Sequence, residues 1–137
     1  MASGTRTRHV ILGTEARLPD GRPAYSSAVV AGGTIYLAGV TSGRDANGAV
    51  VGKGDITAQA VAVFEGMKKV LEASGATFED ITKITVFTTK LEYRQKIAEV
   101  RQRYLQQPPP ASTFVVISGL ADPDFLVEIE ATAVGGS

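Results

Sequence analysis

The sequence predicts an α+β fold: a mixed sheet of about six strands with two helices covering one face. Three observations carry this prediction. Strand-like segments at both ends of the chain enclose two helical segments, so helices and strands do not alternate regularly. Residues 127–132 alternate apolar and polar side chains, as a strand with one buried face does. Residues 56–74 instead repeat apolar side chains at helical spacing.

The N-terminal part is predicted to supply two or three strands. Residues 1–7 are mostly small and polar and are expected to fray, and residues 9–12 form a candidate short strand. Two more strands are predicted over residues 28–30 and 34–38. The pair Gly32-Gly33 between them favours a hairpin turn.

The central part contains the strongest helix signal. Asp55 is a suitable N-cap, and the helix predicted over residues 56–74 ends at Gly75, where positive φ is favoured. A strand follows over residues 81–89, and a second helix, charged on one side, is predicted over residues 91–104. Three consecutive prolines end that helix.

Composition argues against several classes of function. The 137 residues fit one domain, and their zero net charge opposes nucleic acid as a partner. No cysteine is present, and the one histidine, His9, is expected on an edge strand or surface rather than at a metal. No apolar run is long enough to cross a bilayer, so we expect a cytoplasmic protein with no membrane partner.

The last strand permits two interpretations. Glu128 and Glu130 share one face of it, while apolar residues occupy the other face. The two carboxylates form either one wall of a site or the solvated outer face of a sheet. The pattern alone favours the outer face. Two helices cover only one face of such a sheet, so its other face is expected to pack against another copy of the chain.

Several segments resemble a known family in their order and spacing. They are PAYSSAV at 23–29, IYLAG at 35–39, the helix region at 55–75, ITVFT at 84–88, PAST at 110–113 and VEIEA at 127–131. Together these segments resemble the RidA/YjgF family of reactive-intermediate deaminases over residues 23–134. The resemblance implies a chorismate-mutase-like fold and a homotrimer with a central barrel and ligand clefts between subunits. It also implies hydrolysis of imines and enamines to a keto acid and ammonia, without metal or cofactor.

The resemblance assigns two catalytic candidates. Glu128 matches the glutamate that positions the attacking water, and Tyr25 matches the tyrosine that covers the cleft. A partly buried carboxylate can act as a general acid or base. The structural alternative is that Glu128 only accepts hydrogen bonds from backbone at the subunit junction. Glu130 matches no family role.

Five positions are candidate substrate-binding residues, and three of them depart from the family pattern. Ser112, followed by Thr113, stands where the family has an arginine that grips the substrate carboxylate bidentately. Ala38 replaces the serine of the family's Ser-Gly pair, and Gly39 is retained. Ala98 aligns with the family's asparagine. These small residues predict a roomier and more neutral cleft.

An arginine of the second helix is the sixth candidate for substrate binding. Arg101, or else Arg94 or Arg103, could replace the missing guanidinium; the alternative is that all three are surface charges. The alternative to a replacement arginine is a substrate that lacks a carboxylate, or one that is larger and less polar.

The sequence therefore predicts a RidA-like hydrolase or deaminase acting on a small imine, enamine or related metabolite. The alternative is a trimeric metabolite- or partner-binding protein that has lost the reaction. An endoribonuclease has weaker support, because the chain has no basic run interleaved with aromatic residues.

Overall fold

The computed structural model describes residues 6–135 of the chain. Six strands and two helices follow one another in this order: β1 (Thr7–Val10), β2 (Ala28–Ala31), β3 (Thr34–Val40), α1 (Ile56–Ala73), β4 (Ile81–Thr88), α2 (Arg94–Arg101), β5 (Ala111–Val116) and β6 (Val127–Val134). Short 3₁₀ turns precede β4 and α2.

All six strands belong to one mixed sheet with the order β1-β2-β3-β6-β4-β5. Neighbouring strands are antiparallel except β4 and β5, which are parallel because α2 carries the chain between them as a crossover. The α+β class with two helices and a mixed six-stranded sheet is thus confirmed.

The hydrophobic core lies between the sheet and the two helices. Its largest fully buried side chains come from α1 (Phe64, Met67, Leu71), α2 (Ile97, Val100) and the sheet (Ile35, Ile84, Val86, Ile129). In β6, Val127, Ile129 and Ala131 are buried, whereas the residues between them face the other side. The predicted alternation of this strand is therefore confirmed.

Helix α1 begins and ends where the sequence indicates. The Asp55 carboxylate accepts a hydrogen bond from the Ala58 backbone N–H at 3.0 Å, and Gly75 follows the helix with φ of 83°. The buried Gln59 ties the helix to the loop before β6. Its amide donates to the Asp124 carbonyl and accepts from the Leu126 N–H, both at 2.8 Å.

Two predicted boundaries near the N-terminus were wrong. Thr7 belongs to β1 and pairs with Ala31, so the expected fraying over residues 1–7 does not extend to it; residues 1–5 lie outside the described range. The first strand ends at Val10 rather than at residue 12. The Leu12 N–H turns away from the sheet and donates to the Glu15 carboxylate at 2.7 Å.

The second helix is shorter than the predicted residues 91–104. Leu91–Tyr93 form a 3₁₀ turn, and the chain beyond α2 continues in tight turns to Tyr104. The ring of Tyr104 stacks on Phe64 with 5.0 Å between ring centroids. Packing against the core therefore determines the path of this segment more than its helix propensity does.

The face of the sheet opposite the helices, called the open face below, is not covered by any element among residues 6–135. Tyr36 and Val134 on this face are 52% and 53% exposed, and Phe87 and Val115 are half-buried. Within the described range, neither helix is both long enough and apolar enough to cross a bilayer.

Candidate functional site

Two separate cavities contain most of the predicted site residues. The larger, called the Glu128 cleft, has a volume of about 1090 Å³ and is lined by Tyr25, Ala38, Gly39 and Glu128 among others. The smaller, called the Arg101 pocket, has a volume of about 340 Å³ and lies between α2 and β5. Its lining residues are Val86, Arg94, Ile97, Ala98, Arg101, Ser112 and Phe114.

A β-bulge shapes the Glu128 cleft. Leu37 pairs with Ala131 and Val40 pairs with Ile129, so residues 38–39 of β3 together face a single residue of β6. An extra residue bends a strand and increases its local twist, and such bulges are common beside functional sites. The small side chains at positions 38 and 39 leave space at this bend.

Gly39 is needed because the Glu128 side chain lies directly against it. A Cβ added to Gly39 would lie 2.8 Å from Glu128 Cδ and would overlap the carboxylate oxygen Oε2. The retained glycine therefore lets the carboxylate lie flat against β3.

The Glu128 carboxylate is half-buried and receives no hydrogen bond from any group in residues 6–135. Burial raises the pKa of Glu128, and repulsion from the nearby Glu130 carboxylate raises it further. A carboxyl group with a raised pKa exchanges a proton more readily near neutral pH. This environment suits a general acid or base.

A second carboxylate, Glu15, lines the same cleft and was missed by the sequence reasoning. Burial by itself raises its pKa, but hydrogen bonds from the Ser27 hydroxyl and from the N–H groups of Leu12 and Gly13 outweigh it and lower the pKa to about 2. Glu15 is therefore ionised at neutral pH and holds the loop that forms one wall. Acidic residues in loops usually face solvent, and no pattern in the sequence around Glu15 indicates that it is buried.

Ser42 is the other missed residue of the Glu128 cleft. It is 9% exposed, and its hydroxyl has no hydrogen-bond partner among residues 6–135. Buried hydroxyls are nearly always paired, so a polar atom of a molecule in the cleft would find both a donor and an acceptor there. Ser42 lies in a turn-rich segment with no periodicity, and its burial depends on tertiary contacts.

The Arg101 pocket brings together Ala98, Ser112 and Arg101. The Arg101 guanidinium donates from Nη1 to the Ser112 Oγ at 3.1 Å. Burial lowers the pKa of Arg101, which remains a permanent cation at neutral pH. The position that matches the family's arginine is thus in direct contact with a guanidinium from α2.

The other two arginines are both exposed, but only one of them lines a cavity. Arg94 lines the Arg101 pocket, with its guanidinium carbon 5.8 Å from the centre of the Phe114 ring. Arg103 is exposed and lines neither of the two cavities.

Thr113 does not join the other candidates. Successive residues of a strand face opposite sides, so Thr113 points to the open face while Ser112 points toward α2. The Thr113 hydroxyl accepts a hydrogen bond from Lys83 Nζ at 2.9 Å.

Ser112 and Glu128 point to opposite faces of the sheet, although the Glu128 cleft extends beside α1 to residues such as Glu65 and Lys69. Ser112 pairs with the buried Ile84 on the helix side, whereas Glu128 pairs with Phe87 on the open face. The two sets of lining residues share no member. One copy of the chain therefore presents Glu128 and Ser112 in two separate cavities. Among residues 6–135, no group of three or more His, Cys, Asp or Glu side chains could hold a metal ion.

The fold and the Glu128 cleft define an α+β protein of the RidA/YjgF class. The family model described as Endoribonuclease L-PSP matches residues 15–135, so the chain belongs to this family. Family membership and the family fold, both expected from the resemblance, are confirmed.

Three relatives illustrate the similarity. A RutC family protein from Pyrococcus abyssi is 36% identical over 126 residues, which cover 92% of this chain and 96% of the relative. The 2-iminobutanoate/2-iminopropanoate deaminase of Dermatophagoides farinae is 34% identical over 110 residues, which cover 80% and 84% of the two chains. The crystal structure of RidA from a Psychrobacter species is 31% identical with a TM-score of 0.77, covering 93% of this chain and 99% of that one.

Proposed function

We propose that the protein is a deaminase that hydrolyses reactive imines and enamines to a carbonyl compound and ammonia, with Glu128 as its acid–base residue. The observation that carries the proposal is the Glu128 carboxylate, which is half-buried in a cleft, has a raised pKa and has no hydrogen bond from the chain. A relative that is 34% identical is named as an imine deaminase, which supports the same reaction.

The reaction needs only water and one carboxylate. Glu128 accepts a proton from water as the water oxygen attacks the iminium carbon, and the C=N π electrons move to nitrogen. The resulting carbinolamine then receives that proton on nitrogen from Glu128. The C–N bond breaks as the ionised Glu128 takes the hydroxyl proton, so that ammonia leaves and the carbonyl forms. For an enamine, protonated Glu128 first delivers its proton to carbon and so forms the iminium. Tyr25, 48% exposed at the cleft, covers the substrate.

The substrate carboxylate is held from the Arg101 pocket. Arg101 already donates to Ser112 Oγ at 3.1 Å, at the position where the family has its arginine. A guanidinium offers five N–H donors, so Arg101 can keep this bond and still bind a carboxylate bidentately. Arg101 of α2 thereby replaces the arginine that the family has at the position of Ser112, and the small side chain of Ala98 leaves room for the guanidinium.

The complete site forms between two copies of the chain in a homotrimer. The Glu128 and Ser112 side chains point to opposite faces of one sheet and line cavities with no residue in common, so a single ligand reaches both only when they come from neighbouring copies. The exposed Tyr36 and Val134 on the open face supply apolar surface for this association. A cytoplasmic location remains part of this proposal.

A coupled imine-hydrolysis assay tests the proposal. An amino-acid oxidase generates imines from aliphatic, aromatic and acidic amino acids, and semicarbazide traps the imine that remains. We expect the protein to reduce the trapped imine, and Glu128→Gln to lower kcat/KM by at least ~100-fold. Glu130→Gln is the matched control, because Glu130 lies two residues away on the same strand but is exposed. It should retain most of the activity.

The alternatives give different results in the same assay. A trimer that only binds a metabolite would accelerate no imine, and Glu128→Gln would change ligand binding alone. An endoribonuclease would cleave RNA at a rate that persists through repeated purification and falls in Glu128→Gln. Zero net charge gives this last function little electrostatic support.

A further inference from the structure

The Arg101 pocket contains two arginines and no acid. Arg94 and Arg101 lie seven residues apart in α2, two turns along one side of the helix, and both line the pocket. The remaining lining residues are all uncharged. The ion pairs among residues 6–135 use only Arg22, Arg44 and Lys53 as cations, so no carboxylate of the described chain neutralises Arg94 or Arg101.

Each guanidinium is held by a different residue of β5. Arg101 donates to Ser112, and Arg94 lies over the Phe114 ring with 5.8 Å between its guanidinium carbon and the ring centre. Ser112 and Phe114 are two residues apart on one face of the strand, which separates them by roughly 7 Å. The two arginines therefore contact successive positions along one face of the strand, so two anionic groups of one small molecule can each meet a guanidinium.

Two cations that line one small, partly apolar pocket repel each other. Arg101 is half-buried, whereas Arg94 is exposed and keeps more of its hydration. Burial lowers the pKa of Arg101. A monocarboxylate occupies one guanidinium bidentately and leaves the other without a partner.

We propose that the Arg101 pocket binds a small molecule with two carboxylates, one on Arg101 and the other on Arg94. This inference rests on the proposed function, and it identifies the preferred substrates as imines of acidic amino acids. In the assembled site the carboxylate beside the imine carbon binds Arg101, and the side-chain carboxylate extends to Arg94.

Binding of two keto acids of equal chain length tests the inference directly. Calorimetry compares 2-oxoglutarate, a dianion, with 2-oxopentanoate, which has a methyl group in place of the second carboxylate. We expect the dianion to bind at least ~10-fold more tightly. Arg94→Gln should reduce this ratio to near one. Arg103→Gln is the control, because Arg103 is exposed and lines neither cavity, and it should keep the ratio.

The kinetic arm separates this inference from the proposed function. The coupled assay is run with the imines of glutamate and of 2-aminopentanoate, each produced by a matched oxidase. If both imines are hydrolysed equally well and both keto acids bind equally tightly, the dicarboxylate site is overturned and the proposed deaminase function still stands. If the dianion binds more tightly in a way that depends on Arg94, but no imine is hydrolysed faster, the dicarboxylate site stands and the proposed deaminase function is overturned. Circular dichroism confirms that each variant is folded.

Discussion

Glu128 and Glu130 lie two residues apart on one strand, yet their surroundings differ. Glu128 is half-buried against Gly39 at the bulge, whereas Glu130 is exposed. Burial raises the pKa of Glu128, and the neighbouring carboxylate adds to this effect. Glu128 therefore keeps its proton to a higher pH than an ordinary glutamate does.

The contribution of Glu130 can be measured through the pH dependence of the reaction. Glu130→Gln removes the repelling charge, so the pKa of Glu128 should fall while burial still keeps it above the ordinary value. Because the ionised form of Glu128 activates water, the acidic limb of kcat/KM against pH should move to lower pH. A limb that moves to higher pH would show that Glu128 is not the group that titrates.

Gly39→Ala tests the contact between β3 and the carboxylate. The new Cβ would overlap the Glu128 carboxylate, so the side chain must turn away from its place against β3. We expect kcat/KM to fall at least ~10-fold with little change in Tm, because the far end of a flexible side chain can move. Gly119→Ala is the control, since an added Cβ there meets nothing within 4 Å. Equal activity in both variants would contradict this role of Gly39.

Single residues of the site could be predicted when a strand or a motif marked them. Glu128 and Gly39 lie in patterned strands, and both line the cleft. Thr113 was grouped with Ser112 by sequence position, but the alternation of a strand places its side chain on the other face. Glu15 and Ser42 were missed because loop residues are buried by contacts that no local pattern contains.

At the scale of elements, the loop before residue 16 depends on Glu15. This carboxylate accepts hydrogen bonds from two backbone N–H groups and from Ser27, and the loop contributes Leu12 and Thr14 to the wall of the cleft. Loops with few other contacts are usually the first part of a domain to open.

Glu15→Gln should therefore destabilise the folded chain at neutral pH. An amide offers one acceptor where the carboxylate has two, so the expected loss is about 1–3 kcal/mol. The folded pKa of Glu15, about 2, is below its ordinary value of 4.5, so its contribution is complete above 4.5 and disappears as the pH falls toward 2. Urea unfolding at pH 7 and pH 3 should show the difference from wild type shrinking at the lower pH. The exposed Glu79→Gln is the control, and an equal loss there would contradict this role of Glu15.

Element boundaries were predicted best where local chemistry decides them. Asp55 and Gly75 mark the ends of α1 in the sequence, and the cap and the positive φ occur there. The second helix has no comparable end signal before the prolines, so its predicted length was too great. Stacking of Tyr104 on Phe64 is a contact between residues 40 apart in sequence, which periodicity cannot reveal.

At the scale of the whole molecule, the proposed site is divided between two cavities, and its key side chains point to opposite faces of the sheet. Glu128 faces the open side of the sheet, and Ser112 faces α2 with Arg101. The exposed apolar residues of the open face give the copies a surface for association. Closed rotational symmetry would repeat the same junction at each pair of neighbours. Each junction would then combine the Glu128 cleft of one copy with the Arg101 pocket of the next.

Complementation between two inactive variants tests this central claim most directly. Glu128→Gln and Arg101→Ala are each expected to lose imine hydrolysis, since each lacks one half-site. Equal amounts of the two variants, unfolded and reassembled together, should regain about one quarter of the wild-type activity. In randomly mixed trimers, about one junction in four combines an intact Glu128 with an intact Arg101. Native mass spectrometry verifies that mixed trimers have formed. Mixed trimers without any regained activity would contradict a deaminase site shared between subunits.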